Sequence, residues 1–216
     1  MTNKIHVFTN DDKDPIKEPH NLINLADHKR SSRIIITGPP DSGKSNIVKN
    51  LIINQNPAFD EIYLVTPDIT TKEYNSLCCN MCSSYEELPK YEDIDPSTKT
   101  LIIFEDYEFD DLNKKELKFI DAYFRYACTH KGMTIYMCCQ NYFTIPPKLR
   151  RKANITYFAR FDDRTMSIIF GSLGICQKKF QYLCDVYLKD NHDFVCIDSS
   201  GHPVKYRHNI FDPIKI

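Results

Sequence analysis

The polar and apolar positions of the chain fall into two regimes. Residues 1–30 are polar, carry Asp11-Asp12-Lys13-Asp14, Pro15 and Pro19, and show no sustained period, so they read as an arm packed loosely or ordered by a neighbour. From Arg33 onward, short apolar β-branched runs alternate with helical spacings. Arg33 to Thr37 reads as a buried strand. Ile47, Val48, Leu51 and Ile52 then recur at helical spacing, with Lys49, Asn50 and Asn54 expected on the opposite, polar side. Glu61 to Val65 is a second strand, stopped by Thr66-Pro67-Asp68. Between Thr71 and Pro96 the signal weakens, with short helices possible at Lys72 to Leu77 and Tyr85 to Leu88.

Thr100 to Phe104 is a clearer strand, running into Glu105-Asp106. A long helix is expected from about Asn113 to His130, with Leu117, Ile120, Phe124 and Ala127 on one face, ended by Gly132. Met133 to Cys139 is a fourth strand, closed by Gln140. Pro146 and Pro147 can open a short basic helix through Lys148, Leu149, Arg150, Arg151 and Lys152. A fifth strand spans Ile155 to Phe161, and helical stretches cover Arg164 to Phe170 and Gln177 to Leu188. A hairpin closes the pattern: Asp193 to Asp198, a Ser199-Ser200-Gly201 turn, and Val204 to Arg207. Strands alternating with helices predict an α/β fold, a mainly parallel sheet flanked by helices. Its length of 216 residues suits one domain over residues 31–216, preceded by the arm.

The chemistry concentrates where strands end. Gly38-Pro39-Pro40-Asp41-Ser42-Gly43-Lys44-Ser45 fits the phosphate-loop pattern, in its required place between a strand and a helix. Gly43 lets the backbone wrap a polyphosphate, whose oxygens can bind the unpartnered N–H groups of the helix's first turn. Lys44 supplies a charge for the β and γ phosphates of ATP, and the Ser45 hydroxyl can join the coordination shell of Mg²⁺. Glu105-Asp106, two acids after an apolar strand, has the form of a Walker B segment: Glu105 is expected beside the metal and Asp106 at the attacking water, the reverse remaining open. Gln140 can bond both a γ-phosphate oxygen and that water. Arg150 and Arg151 are candidates for an arginine finger delivered to a neighbouring subunit, or else part of a solvated basic helix.

Charge and cysteines narrow the setting. Lys and Arg number 28 against 29 Asp and Glu, so the surface as a whole does not attract nucleic acid, and Lys114, Lys115, Lys118, Lys178 and Lys179 read as solvent faces. No apolar run approaches the ~18 residues that span a bilayer. The polar start has no secretory core, and nine cysteines, several in strand-like runs, fit a reducing compartment. Cys78, Cys79 and Cys82 alone have metal-like spacing; they read as free thiols, with a zinc site as the lesser alternative.

Taken together, Gly38 to Ser45, Leu101 to Asp106, Thr129 to Ile135 leading to Gln140-Asn141-Tyr142-Phe143, Ile145-Pro146, Leu149-Arg150 and Ala153-Asn154 resemble the viral DNA-packaging ATPases of the FtsK-HerA superfamily. The likeness is to the poxvirus-type enzymes of large DNA viruses, virophages and polinton-like elements, and extends to Tyr206-Arg207-His208-Asn209 and Phe211-Asp212-Pro213. It implies an additional-strand, RecA-like P-loop fold with the Gln140 strand between the phosphate-loop strand and the Glu105 strand. It also implies a ring of about five or six subunits with an ATP site at each boundary. The partners implied are double-stranded DNA and capsid or portal-vertex proteins. The implied location is the host cytoplasm, a viral factory or the virion. Gln140 matches the family's sensor and Arg150 its trans-acting arginine. Two positions depart from the pattern: the acids are inverted, and Thr129 stands where many relatives carry an Arg, whose role could have moved to Arg125. His130 is left to cap its helix or face a neighbour. A nucleotide kinase using residues 148–152 as a lid, and a nucleotide-gated scaffold with little turnover, are the rival readings.

Overall fold

The computed structural model describes residues 31–55, 57–107 and 109–215; the N-terminal arm lies outside them. Its strands are β1 (Arg33–Thr37), β2 (Glu61–Val65), β3 (Asn80–Cys82), β4 (Thr100–Glu105), β5 (Thr134–Cys139), β6 (Ile155–Ala159), β7 (Phe194–Asp198), β8 (Lys205–His208) and β9 (Asp212–Ile214). They form one sheet in the order β3-β2-β4-β5-β1-β6-β7-β8-β9. β3 through β6 in that order run parallel, and β7, β8 and β9 turn antiparallel in succession. β5 therefore lies between β1 and β4, with Ile35 opposite Met137 and Phe104 opposite the same residue on its other side. Every residue of β4, β5 and β6 is buried, as parallel strands covered on both faces require.

The pleat sends alternate residues to two cores. Ile35, Ile102, Phe104, Ile135 and Met137 face α2 (Lys114–Ala122) and the segment after it, burying Ile120, Tyr123, Phe124 and Ala127. Ile34, Ile36, Leu101, Ile103, Tyr136 and Cys138 face α1 (Lys44–Ile53), whose Ile47, Val48, Leu51 and Ile52 complete that layer. At ~1.5–3 kcal/mol per buried aliphatic or aromatic side chain, these layers dominate the stability. A third cluster lies under α5 (Asp163–Ser172) and α6 (Gln177–Tyr187), where Phe170 packs on Phe158 and Phe180.

The long helix is capped as its sequence requires: the Asn113 side chain accepts from the N–H groups of Lys115 and Glu116, and Glu116 returns a bond to the Asn113 N–H. It is not uniform, however. Residues Tyr123–Ala127 form a π turn before α3 (Cys128–His130). The Arg33 side chain enters there, donating to the Phe124 carbonyl at 2.5 Å and to Thr129 Oγ1 at 2.9 Å. A partner from another element thus satisfies a carbonyl in the altered turn.

Several expectations need correction. Lys49, Asn50 and Asn54 are buried, not exposed, and the Lys49 ammonium lies 5.7 Å from the centroid of the Tyr74 ring. Asn50 and Asn54 meet the cost by donating to the carbonyls of Asn46 and Asn50. Residues 72–77 form turns, not a helix, and residues 85–87 only a short 3₁₀ turn. The edge strand β3 and the last strand β9 had no legible period; Pro213 sits in β9, an edge position where its missing N–H costs nothing. The C-terminal hairpin is thus a three-strand meander. Cys82 packs in the α2-side core, Cys79 against the α1-side core, and Cys78 is exposed, so the three sulfurs do not converge on a metal. Among the described residues, no helix is long and apolar enough to cross a membrane.

Candidate functional site

The loop between β1 and α1 is held by its glycines. Gly43 caps α1 at φ 91°, a left-handed conformation open mainly to glycine. A Cβ at Gly38 would come within 2.5 Å of Ser42 Oγ and 2.9 Å of Ala159 Cβ, so the backbone there passes where no side chain fits. The Lys44 ammonium folds back inside the loop, donating to the Gly38 and Pro39 carbonyls at 3.1 Å each. A phosphate entering the loop would take over those bonds, because an anionic acceptor outcompetes a carbonyl.

The carboxyl ends of β4 and β5 bring the other groups to the same place. The Ser45 hydroxyl lies 2.6 Å from Glu73 Oε2 and 3.2 Å from Glu105 Oε1. Glu105 is 6% exposed, and its Oε2 has no hydrogen-bond partner. Burial pushes its carboxyl above the ordinary range and the Asp106 charge adds to this, while the polar groups of Cys138, Tyr74 and Ser45 beside it partly oppose it. Tyr74 is buried beside it without a direct hydrogen bond, its phenol held well above its usual value first by burial and then by Glu105. Asp106 is exposed and held at φ 47°, in the left-handed region, so that it turns away from the buried path of the strand. Gln140 Nε2 reaches Asp106 Oδ2 at 3.4 Å.

Lys44, Ser45, Glu73, Glu105, Asp106 and Gln140 line one cavity of about 450 Å³, together with Pro40, Asp41, Gly43, Asn46, Lys49 and His192. Gly38, Pro39 and Ser42 of the expected nucleotide-binding set do not line that cavity: the Gly38 and Pro39 carbonyls accept from Lys44, and Ser42 Oγ is buried and unpartnered. The donor set fits Mg²⁺, a cation that takes hydroxyl and carboxylate oxygens and shares the rest of its shell with water and phosphate. The orphaned Oε2 of Glu105, whose Oε1 meets Ser45, is the particular sign. Among the described residues no three His, Cys, Asp or Glu side chains could hold an ion by themselves, so a cation here would be held jointly with the nucleotide.

Arg150 is not in this group. It lies on α4 (Pro147–Arg150), its guanidinium 5.0 Å from the Tyr142 ring centroid and 5.1 Å from that of Phe143, lining a separate cavity with Arg151, Ser172 and Leu173. The exposed Arg151 leads out of that helix. Thr129 accepts from Arg33, while Arg125 pairs with Asp121 at 3.9 Å and covers the Tyr126 ring, away from the cavity. His130 is exposed, with its ring stacked on Tyr126.

Four lining residues escaped sequence reasoning. Asn46 and Lys49 follow the loop within one turn and could have been reached by projecting α1 onto the site. Glu73 and His192 come from irregular loops, where no period signals position.

A parallel sheet with the extra strand β5 between β1 and β4, and a glycine loop joining β1 to α1, defines an α/β P-loop NTPase fold of the additional-strand type. Solved structures share it. B204, the DNA-packaging ATPase from Sulfolobus turreted icosahedral virus, superposes with a TM-score of 0.62 at 14% identity, covering 87% of this chain and all 100% of that one. The genome-packaging NTPase B204 of Sulfolobus turreted icosahedral virus 2, in complex with ATP-γS, gives 0.57 at 13% identity over 82% of this chain and 96% of that one. The conjugation coupling protein TcpA of pCW3, also with ATPγS, gives 0.59 at 10% identity over 87% of this chain and 61% of that one. No family model matches the chain, and no curated protein matches it in sequence.

Proposed function

We propose that the protein is a viral genome-packaging ATPase of the FtsK-HerA type, coupling Mg²⁺-dependent ATP hydrolysis to movement of double-stranded DNA into a capsid from within a homo-oligomeric ring. The observation that carries the reading is the gathering of Lys44, Ser45, Glu105, Asp106 and Gln140 around one cavity while Arg150 is held outside it. The shared fold with two packaging NTPases supports it.

Lys44 and the first-turn N–H groups of α1 bind the phosphates. Ser45 Oγ and Glu105 would hold the cation, and Asp106, exposed in the cavity lining, orients the attacking water and takes its proton. Gln140, already beside Asp106, contacts both that water and the γ-phosphate. Bound Mg²⁺ would supply charge neutralisation on the β and γ phosphate oxygens. Arg150 completes the site of the adjacent subunit, where a guanidinium can stabilise charge on the transferring phosphoryl group. The near-neutral chain is compatible with DNA, since a ring sums a few lysines from each subunit onto one backbone.

The test is the ATPase rate with and without double-stranded DNA, with Arg150→Ala subunits mixed into wild type. DNA stimulation, and a rate falling below strict proportion to the wild-type fraction, are expected. Phosphorylation of a nucleoside would instead make the protein a kinase, and ATP-dependent assembly without turnover would make it a scaffold.

A further inference from the structure

Gln140 and Arg150 are separated by two short hydrogen-bonded turns, one over residues 141–144 and one over residues 146–150. Asn141 Oδ1 accepts from the Phe143 N–H at 3.0 Å, and the Asn141 carbonyl accepts from the Thr144 N–H at 3.2 Å and hydroxyl at 2.8 Å, closing the turn over Tyr142–Thr144. Ile145 and Leu149 are buried, and the Leu149 and Arg150 N–H groups return to the Pro146 carbonyl at 2.8 and 3.1 Å. The turn presents two rings to the arginine it precedes. Tyr142 and Phe143 stand edge to face, 5.4 Å apart at 84°, and both lie within cation–π range of the guanidinium. Tyr142 is 2% exposed and fixed in the core, whereas Phe143 is 36% exposed and forms the outer wall. Arg150 Nε is buried there without a hydrogen bond, so the rings, not polar partners, set its pose.

At the other end of this stretch, Gln140 Nε2 makes only a long 3.4 Å bond to Asp106. An entering γ-phosphate offers that amide a stronger, charged acceptor. We propose that Tyr142 and Phe143 form a clamp that positions Arg150 and passes to it the state of Gln140. The exchange of partners at Gln140 shifts the turn, and the turn shifts the guanidinium offered to the next subunit. The clamp rests on the reading of Gln140 as phosphate sensor and Arg150 as trans-acting arginine. It makes the two rings positioning residues, and gives each site a physical means of reporting its occupancy to the next.

The chain contains no tryptophan, so Phe143→Trp in the full chain places a single indole in the outer wall. Saturating ATPγS should shift its emission, at dilutions that separate subunits as well as in assemblies, because both turns lie within one chain. Adding Gln140→Ala should abolish the shift while ATPγS still binds. Binding with no shift, or a shift untouched by Gln140→Ala, overturns the clamp. In turnover, Phe143→Leu should lower the DNA-stimulated kcat by roughly tenfold, within the ~100-fold cost of an ångström misplacement, with KM unchanged. Phe143→Tyr should keep the wild-type rate, and Phe143→Leu should cost nothing further in an Arg150→Ala background. A fast Phe143→Leu enzyme beside a slow Arg150→Ala enzyme overturns the clamp alone. Wild-type turnover by Arg150→Ala, or failure of the wild-type chain to bind ATPγS, defeats the underlying reading and the clamp with it.

Discussion

In the cavity, Lys44 and Ser45 project from the start of α1, and Glu105, Asp106 and Gln140 from the ends of β4 and β5, with Ser45 meeting Glu105 and Gln140 meeting Asp106 at hydrogen-bonding distances. On α4, Arg150 is pressed between two aromatic rings, and its Nε has no polar partner. The first region is a constellation whose members explain each other within one chain. The second holds a charged group in a defined pose with no local charge to serve. If Arg150 serves a neighbour as proposed, two copies of the fold supply both halves of one site.

That contrast can be broken most sharply with two alanine substitutions. Arg150→Ala should lose ~10³-fold or more in turnover with ATP affinity unchanged, whereas Lys44→Ala should weaken ATP binding roughly tenfold to a hundredfold as well, since a charged hydrogen bond is worth ~1.5–3 kcal/mol. Parallel nucleotide titrations and ATPase rates separate the two; equal affinity losses would erase the distinction. Asp106→Asn comes next, with ~10²–10⁴-fold slower hydrolysis and retained binding, the range for removal of a general base.

Glu105→Gln tests the buried side of the acidic pair. Because burial raises its folded carboxyl above the unfolded value, the folded state holds that proton more tightly, and wild-type stability falls as pH rises from the ordinary carboxylate range through the raised value. Nucleotide-free Glu105→Gln should therefore melt above wild type at neutral pH, with the gap closing in acid, yet gain less from Mg²⁺ with ATP. Calorimetry across pH checks both signs. The smallest effect is expected at Asp121, which ties α2 to the α4 region through Lys148 at 2.7 Å and Lys152. Burial pushes its carboxyl up, but the two lysines outweigh this and hold it below the ordinary range, so its contribution is present above the unfolded pKa and lost as pH falls through the lowered one. With Lys148 62% exposed and solvent-screened, Asp121→Asn should cost about 1 kcal/mol. A much larger loss would mean that the arginine's helix depends on this anchor.

Legibility followed burial and period. β1, β4 and β5 could be read because parallel strands covered on both faces must be continuous apolar runs, and the glycine loop because its spacing follows from wrapping a phosphate. Asn113 announced its helix through the capping pair with Glu116. β3 was not readable, with only Cys82 buried in three residues, nor was the burial of Lys49 and Asn54, which depends on what lies over α1. The π turn at Tyr123–Ala127 has no local signature, because its carbonyl partner is Arg33, far away in the chain.

By itself, then, the sequence determined the strand and helix periods, the phosphate loop, and the polar residues that end β4 and β5, since each depends on neighbours within a few positions. Tertiary structure alone decided that β5 inserts between β4 and β1, that Glu105 is buried against Ser45 while Asp106 turns outward to Gln140, and that Arg150 rests on Tyr142 and Phe143 instead of in its own chain's cavity. Strand order, burial and ring contacts are set by groups distant in the chain, and no local pattern of residues encodes the distance between them.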